Sequence, residues 1–136
     1  KSSVDPHIEK TAADMIVPFD RISESLNLFR SAFEQRDLDY AIWGHLSDGN
    51  LHPNVIPHTR EEVQRGRDAI LQCGTEVIRF GGCPLAEHGV GRNPVKQALL
   101  RQLYGSAGID EMRQVKKALD PAGKLAPGVL FPLNSP

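Results

Sequence analysis

The spacing of hydrophobic positions changes several times along this chain, and each change predicts an element. Asp14-Met15-Ile16-Val17 is a short apolar run stopped by Pro18, which predicts a strand. Before it, Lys1 to Ala13 is polar, contains Asp5-Pro6, and predicts a loose terminus. From Phe19 the spacing turns helical. Phe19, Ile22, Leu26, Phe29 and Phe33 share one side, with Asp20, Arg21, Glu24 and Arg30 on the other. This predicts an amphipathic helix to about Gln35 with its phenylalanines in the core. Leu38 to Leu46 and Asn50 to Ile56 then predict two strands joined at Asp48-Gly49, residues that tolerate the positive φ of a two-residue hairpin turn. With those two at the centre, His45 faces His52 across the hairpin. A turn centred on Gly49-Asn50 instead sets His52 opposite Ser47 and makes the histidines diagonal. The Asp-Gly preference selects the first register.

Thr59-Arg60-Glu61-Glu62 has the form of a capping box, Thr at the N-cap and Glu three residues on. It opens a helix to about Phe80 with Val63, Ala69, Ile70, Cys73, Val77 and Ile78 inward, ended by Gly81-Gly82. Cys83-Pro84-Leu85-Ala86 predicts a short strand leading into Glu87-His88-Gly89-Val90-Gly91. Asn93-Pro94 starts another helix, an N-cap residue followed by proline at the first helical position. Leu99, Leu100 and Leu103 supply its buried side and Gly105 breaks it. Ile109, Met112, Val115 and Leu119 mark a last helix, ended by Asp120-Pro121. The tail from Ala122 is irregular yet holds Leu125, Val129, Leu130 and Phe131, so it is expected to pack on something. The order strand, helix, strand, strand, helix, strand predicts an α+β fold: a ferredoxin-like βαββαβ unit over residues 14–87, its antiparallel sheet covered by helices on one face. C-terminal helices and the tail follow over 93–136.

Composition narrows the function classes. The 136 residues suit one domain. The net charge of −1 and the lack of a basic block leave a nucleic-acid partner without support. No apolar run approaches the roughly 20 residues of a membrane span. Cys73 and Cys83 have no metal-site or redox-motif spacing and read as free thiols of a reducing, cytoplasmic setting. The chain opens on Lys1 rather than Met, as a piece of a longer protein would.

Two clusters could carry chemistry. The first is His45, Asp48, Asn50 and His52. Asp48 and Asn50 could serve the turn alone, but two imidazoles on one sheet face need partners. The second is Glu87-His88, followed by glycines that let a ligand approach the backbone. Two histidines and one carboxylate are a common ligand set for catalytic zinc, with an open position for water or substrate, and also suit manganese or iron. His45, His52 and Glu87 are therefore candidate metal ligands, and His88 is left as a candidate general acid/base. Spacing leaves their convergence open, because the usual ferredoxin-like strand order sets another strand between Glu87 and the histidines. Arg92 and Lys96 could each bind a substrate carboxylate, Arg92 with the better geometry; the alternative is solvated charge at a helix start. His7 and His58 lie in loop-like contexts without an expected role, and Trp43 suits the core or a pocket wall.

The same residues carry a family resemblance. Gly44-His45-Leu46-Ser47-Asp48-Gly49-Asn50-Leu51-His52 resembles the GHxxDGNxH signature of the C-terminal domain of FAD-linked oxidases, a group that includes D-lactate dehydrogenases, glycolate oxidase subunits and D-2-hydroxyglutarate dehydrogenases. Glu87-His88-Gly89-Val90-Gly91 resembles its EHGxG motif. Asp120-Pro121 through Leu125-Ala126-Pro127-Gly128 resembles DPxxxLNPG, with Ala126 where the family often has Asn. The three motifs span about residues 14–131. The resemblance implies oxidation of a small 2-hydroxy acid to the 2-oxo acid with hydride passing to FAD. It implies a divalent metal, Zn or Mn, on His45, His52 and Glu87, with Asn50 near the substrate and His88 as catalytic base. It also implies a separate N-terminal FAD domain as partner, of which no Gly-rich flavin-binding segment is seen here, so that this chain alone is expected to be inactive. The electron acceptor stays open. Two other readings are a stand-alone metal-binding module and the metal-free cap domain of a phenol- or alcohol-type flavin oxidase.

Overall fold

A computed structural model describes residues 8–132; His7 and the last tail residues, 133–136, lie outside them. Seven elements follow in order: strands β1 (Thr11–Ala12) and β2 (Met15–Ile16), helix α1 (Ile22–Glu34), strands β3 (Tyr40–His45) and β4 (Asn50–Val55), and helices α2 (Arg60–Arg79) and α3 (Pro94–Leu119). The sheet is small and antiparallel, and the fold is α+β as the hydrophobic pattern predicts. β4 lies at its centre, with β3 on one side and β1 and β2 on the other. Cys83 then bridges Ile16 on the far side of β2. That order is the ferredoxin-like one, with the fourth strand reduced to a single bridge.

β1 and β2 are two halves of one strand. Thr11 pairs with Val55, Ala12 with Asn54, Met15 with Leu51 and Ile16 with Asn50, all in one register. The ladder breaks between the halves where β4 carries Pro53, which has no N–H to donate; its carbonyl still accepts from Ala13 N–H at 3.0 Å. The polar stretch before Asp14 is therefore not all loose: Thr11 to Ala13 joins the sheet. Carried through the break, the register sets Asp14 opposite His52.

Alternation along these strands divides the two faces. Ala13, Met15, Val17, Leu51 and Val55 point to the helices and join Phe29, Phe33, Ile70, Cys73 and Val77 in the core. Asp14, Asn50, His52 and Asn54 take the opposite face. Phe19 is the exception among the phenylalanines. It is 69% exposed, because it sits in a 3-10 turn (Phe19–Arg21) ahead of α1, off the helical stripe.

Helix ends follow local chemistry. The Thr59 hydroxyl accepts from Glu62 N–H, while the Glu62 carboxylate takes His58 N–H instead of closing the box on Thr59. Asn93 caps α3 by accepting from Val95 and Lys96 N–H. Gly105, at φ 67° and ψ 178°, interrupts α3 as expected. Leu99, Leu100 and Ile109 are buried along α3, but Val115 and Leu119 are exposed.

Two strand predictions are corrected. The hairpin loop spans Leu46 to Gly49, a 3-10 turn closed by Gly49 at φ 69° with its N–H on Leu46 C=O. Trp43 therefore pairs with His52, and His45 with Asn50. The Asp48-Gly49 two-residue turn fails because Ser47 and Asp48 stay helical and only Gly49 takes the left-handed conformation, whereas that turn needs it at both central residues. The shift is by two positions, so the histidines keep a common face and become diagonal neighbours. Next, Cys83 to Ala86 is not a strand. Cys83 exchanges both backbone bonds with Ile16 at 2.8 Å, and Pro84 then ends the ladder for want of an N–H.

Candidate functional site

The departure of the fourth strand decides the site. Past Pro84 the chain no longer runs beside β2. It crosses the end of that strand, where Ala86 N–H reaches Asp14 C=O at 3.3 Å. This carries Glu87 and His88 over β2 to the histidine face of β4 and removes the geometric obstacle of the intervening strand.

Glu87 Oε1 lies 3.1 Å from His52 Nε2 and 3.5 Å from His45 Nε2. The His45 and His52 ring centroids are 5.5 Å apart and near perpendicular, and His88 packs edge-on to His52 at 4.9 Å. His88 Nε2 is 3.5 Å from the same Glu87 oxygen. One potential ligand atom from each of His45, His52 and Glu87 falls within a 4.8 Å group. His52 is buried, and its Nε2 has no hydrogen-bond partner among the described residues even with Glu87 so close. The 3.1 Å approach of Glu87 thus does not amount to a hydrogen bond. An orphaned buried nitrogen is costly, and a cation bound by all three groups would satisfy it. Nitrogen, nitrogen and carboxylate oxygen are a donor set that fits a divalent transition metal.

These groups line an open concavity of about 630 Å³. Its far wall is Lys10, Trp43 and Asn54, with Lys10 Nζ 4.6 Å from the centre of the Trp43 ring. Trp43 is thus a pocket wall, one of the two places its sequence context suited.

Asp14 is the residue that sequence reasoning missed. Its carboxylate is fully buried and accepts from the backbone N–H of Glu87 and of His88, each at 2.6 Å, and from Lys96 Nζ at 3.0 Å. Burial opposes its ionisation, but the His88 N–H, the Lys96 ammonium and the Glu87 N–H outweigh that and hold its pKa below the usual carboxylate value. A signal was present: with Met15 and Val17 facing inward, alternation places Asp14 on the histidine face. Lys96, 82 positions away, was a candidate for a substrate carboxylate; its ammonium is taken by Asp14 instead, and it does not line the cavity.

Not every predicted residue reaches the concavity. Asn50 is buried opposite His45, its Oδ1 without a hydrogen-bond partner among the described residues, but it is not part of the cavity wall. Asp48 stays in the turn, where Ser47 hydroxyl donates to it. Arg92 points elsewhere: its Nε donates to the Pro127 carbonyl of the tail at 2.9 Å. His58 pairs with Asp39 at the surface.

The model of the family described as FAD linked oxidases, C-terminal domain, matches residues 3–130. The chain is 32% identical to the glycolate oxidase subunit GlcD of Bacillus subtilis over 87% of its length and 25% of that protein's. It is 28% identical to a probable mitochondrial D-lactate dehydrogenase of Danio rerio, over 95% of this chain and 26% of that one. It is also 28% identical to a D-2-hydroxyglutarate dehydrogenase of Haemophilus influenzae, over 90% and 12%. The chain thus spans about a quarter or less of these relatives.

Proposed function

The chain belongs to the FAD linked oxidases, C-terminal domain, family, and from that membership we propose that it forms the substrate side of a flavin-dependent site oxidising a D-2-hydroxy acid to its 2-oxo acid. The observation that carries the reading is that one potential ligand atom from each of His45, His52 and Glu87 lies within 4.8 Å of the others on a cavity wall that also holds His88. The names of the relatives, glycolate oxidase, D-lactate dehydrogenase and D-2-hydroxyglutarate dehydrogenase, supply the substrate class.

His45 and His52 would hold a divalent cation, Zn²⁺ or Mn²⁺, through ring nitrogens, and Glu87 through its carboxylate. When bound, the cation would supply Lewis-acid polarisation of the substrate's oxygens and the flavin a two-electron acceptor for hydride. His88 takes the hydroxyl proton, the task for which imidazole is suited near neutral pH. Loss of that proton and of the α-hydrogen as hydride turns C–O into C=O, a two-electron oxidation. Trp43 forms part of the cavity wall.

The ligand set is tested by metal analysis of the purified chain and of His52→Ala. The expected result is one bound divalent ion in the parent and loss of it in the variant. Equal metal content in both removes His52 from the set. A metal-free cap is the outcome if neither binds an ion, and His52 Nε2 then lacks a role.

A further inference from the structure

The loop that carries Glu87 and His88 is anchored on either side of them, by buried Pro84 and by Leu85 and Val90 in an apolar cluster with Leu100 and Ile109. Between these anchors strand pairing has ended, at Cys83. The two side chains are 46% and 51% exposed, so their own packing does not fix them. What grips the loop at this point is a buried ion pair from elsewhere in the chain. Asp14 Oδ2 takes the N–H of Glu87 and of His88 at once. Its Oδ1 takes the Lys96 ammonium and lies 3.8 Å from His88 Nδ1. Lys96, 11% exposed, donates also to the Gly89 carbonyl at 2.9 Å. One pair thus holds three consecutive loop residues through their backbone.

A charged pair taken out of water breaks even only when its remaining hydrogen-bonding capacity is used. Here that capacity goes to the backbone of the loop, and charge-assisted bonds are the strong ones. Asp14 also stands opposite His52 in the sheet register. It therefore ties the loop to the strand that presents the other ligands.

We propose that Asp14, clamped by Lys96, is a positioning residue: it sets the backbone at Glu87 and His88 so that the Glu87 carboxylate meets His45 and His52 and the His88 ring stands beside them. The proposal rests on the reading of His45, His52 and Glu87 as ligands and His88 as base. Neighbours that orient ligands in this way typically contribute 10–100-fold to metal affinity.

The test titrates the 136-residue chain with Zn²⁺ and Mn²⁺ by calorimetry and records the visible absorption of the Co²⁺-loaded chain, which reports ligand geometry rather than global fold. Glu87→Gln is the ligand control. Asp14→Asn leaves the Lys96 charge unpaired, so Asp14→Asn/Lys96→Gln, which removes both charges, is made beside it. The expected result is a 10–100-fold loss of affinity in both, a changed Co²⁺ spectrum, and wild-type circular dichroism in the double variant. A folded double variant with unchanged affinity and spectrum overturns the proposal. So does loss of fold in both variants, which makes Asp14 a structural residue only. If the wild-type chain binds neither ion, the ligand reading fails. Asp14 is then judged by exchange of the Glu87 and His88 amides: faster exchange in the double variant upholds its hold on the loop, and unchanged exchange overturns it.

Discussion

At the scale of single residues, burial decides which groups react. Cys73 is fully enclosed in the core. Desolvation pushes its thiol up to about 12, well above a free cysteine. Cys83 is only half-buried and its Sγ approaches the Leu85 carbonyl. A thiol reagent such as DTNB at pH 8 is expected to label one cysteine in the native chain and two after denaturation. Rapid labelling of both in native buffer would contradict the enclosure of Cys73. His88 is the residue-scale counterpart in chemistry. It is half exposed, with Nε2 3.5 Å from Glu87 Oε1; in the proposed role of general base it would contribute about 10²–10⁴-fold to rate.

At the scale of elements, the hairpin and the tail carry the local tests. Gly44 sits at φ 147°, and a Cβ there would lie 2.1 Å from the Asn50 carbonyl of the paired strand. Gly44→Ala is expected to destabilise the chain by about 1–3 kcal/mol from backbone strain alone, read as a lowered midpoint in urea; an unchanged midpoint would contradict the β3–β4 register. The tail is held by Asp120, whose carboxylate takes the Lys116 ammonium, Leu125 N–H at 2.8 Å and Lys124 N–H at 2.9 Å. The Lys116 bond first, then the Leu125 and Lys124 N–H groups, hold its pKa below the ordinary carboxylate value against burial. A carboxyl depressed in the folded state stabilises fully above its unfolded value of about 3.9 and loses that contribution as pH falls through the folded value. Protection of the Lys124 and Leu125 amides, relative to unstructured amides at the same pH, should therefore be high at neutral pH and fall below about pH 4; in Asp120→Asn it should be low at neutral pH already.

These elements also show what the sequence could reveal. Helical spacing placed Phe29 and Phe33 in the core, and both are fully buried. The hairpin histidines, Glu87 and His88 were each visible from residue type and position. The register was not, because the turn is set by four residues, and a dipeptide preference could not say that Ser47 and Asp48 stay helical. The convergence of the loop on the hairpin was equally hidden. It depends on Pro84 ending a strand after one bridge and on a salt bridge between Asp14 and Lys96, contacts with no local spacing to betray them.

At the scale of the whole molecule, the sheet divides labour between its faces. The helix face supplies the core; the other face holds polar side chains buried against a loop, beside an open cavity. Among the described residues no helix is long and apolar enough to cross a membrane. Because the chain spans about a quarter or less of the relatives compared here, its chemistry is to be measured with the rest of a flavin site present. The most direct measurement is dye reduction by a protein that joins this chain to an FAD-binding domain, offered D-lactate, glycolate and D-2-hydroxyglutarate. Turnover is expected with at least one of them, lost on His52→Ala and reduced about 10²–10⁴-fold in His88→Asn. A flavin-loaded protein that reduces dye with none of the three, or an His88→Asn variant as fast as its parent, would contradict the proposed function.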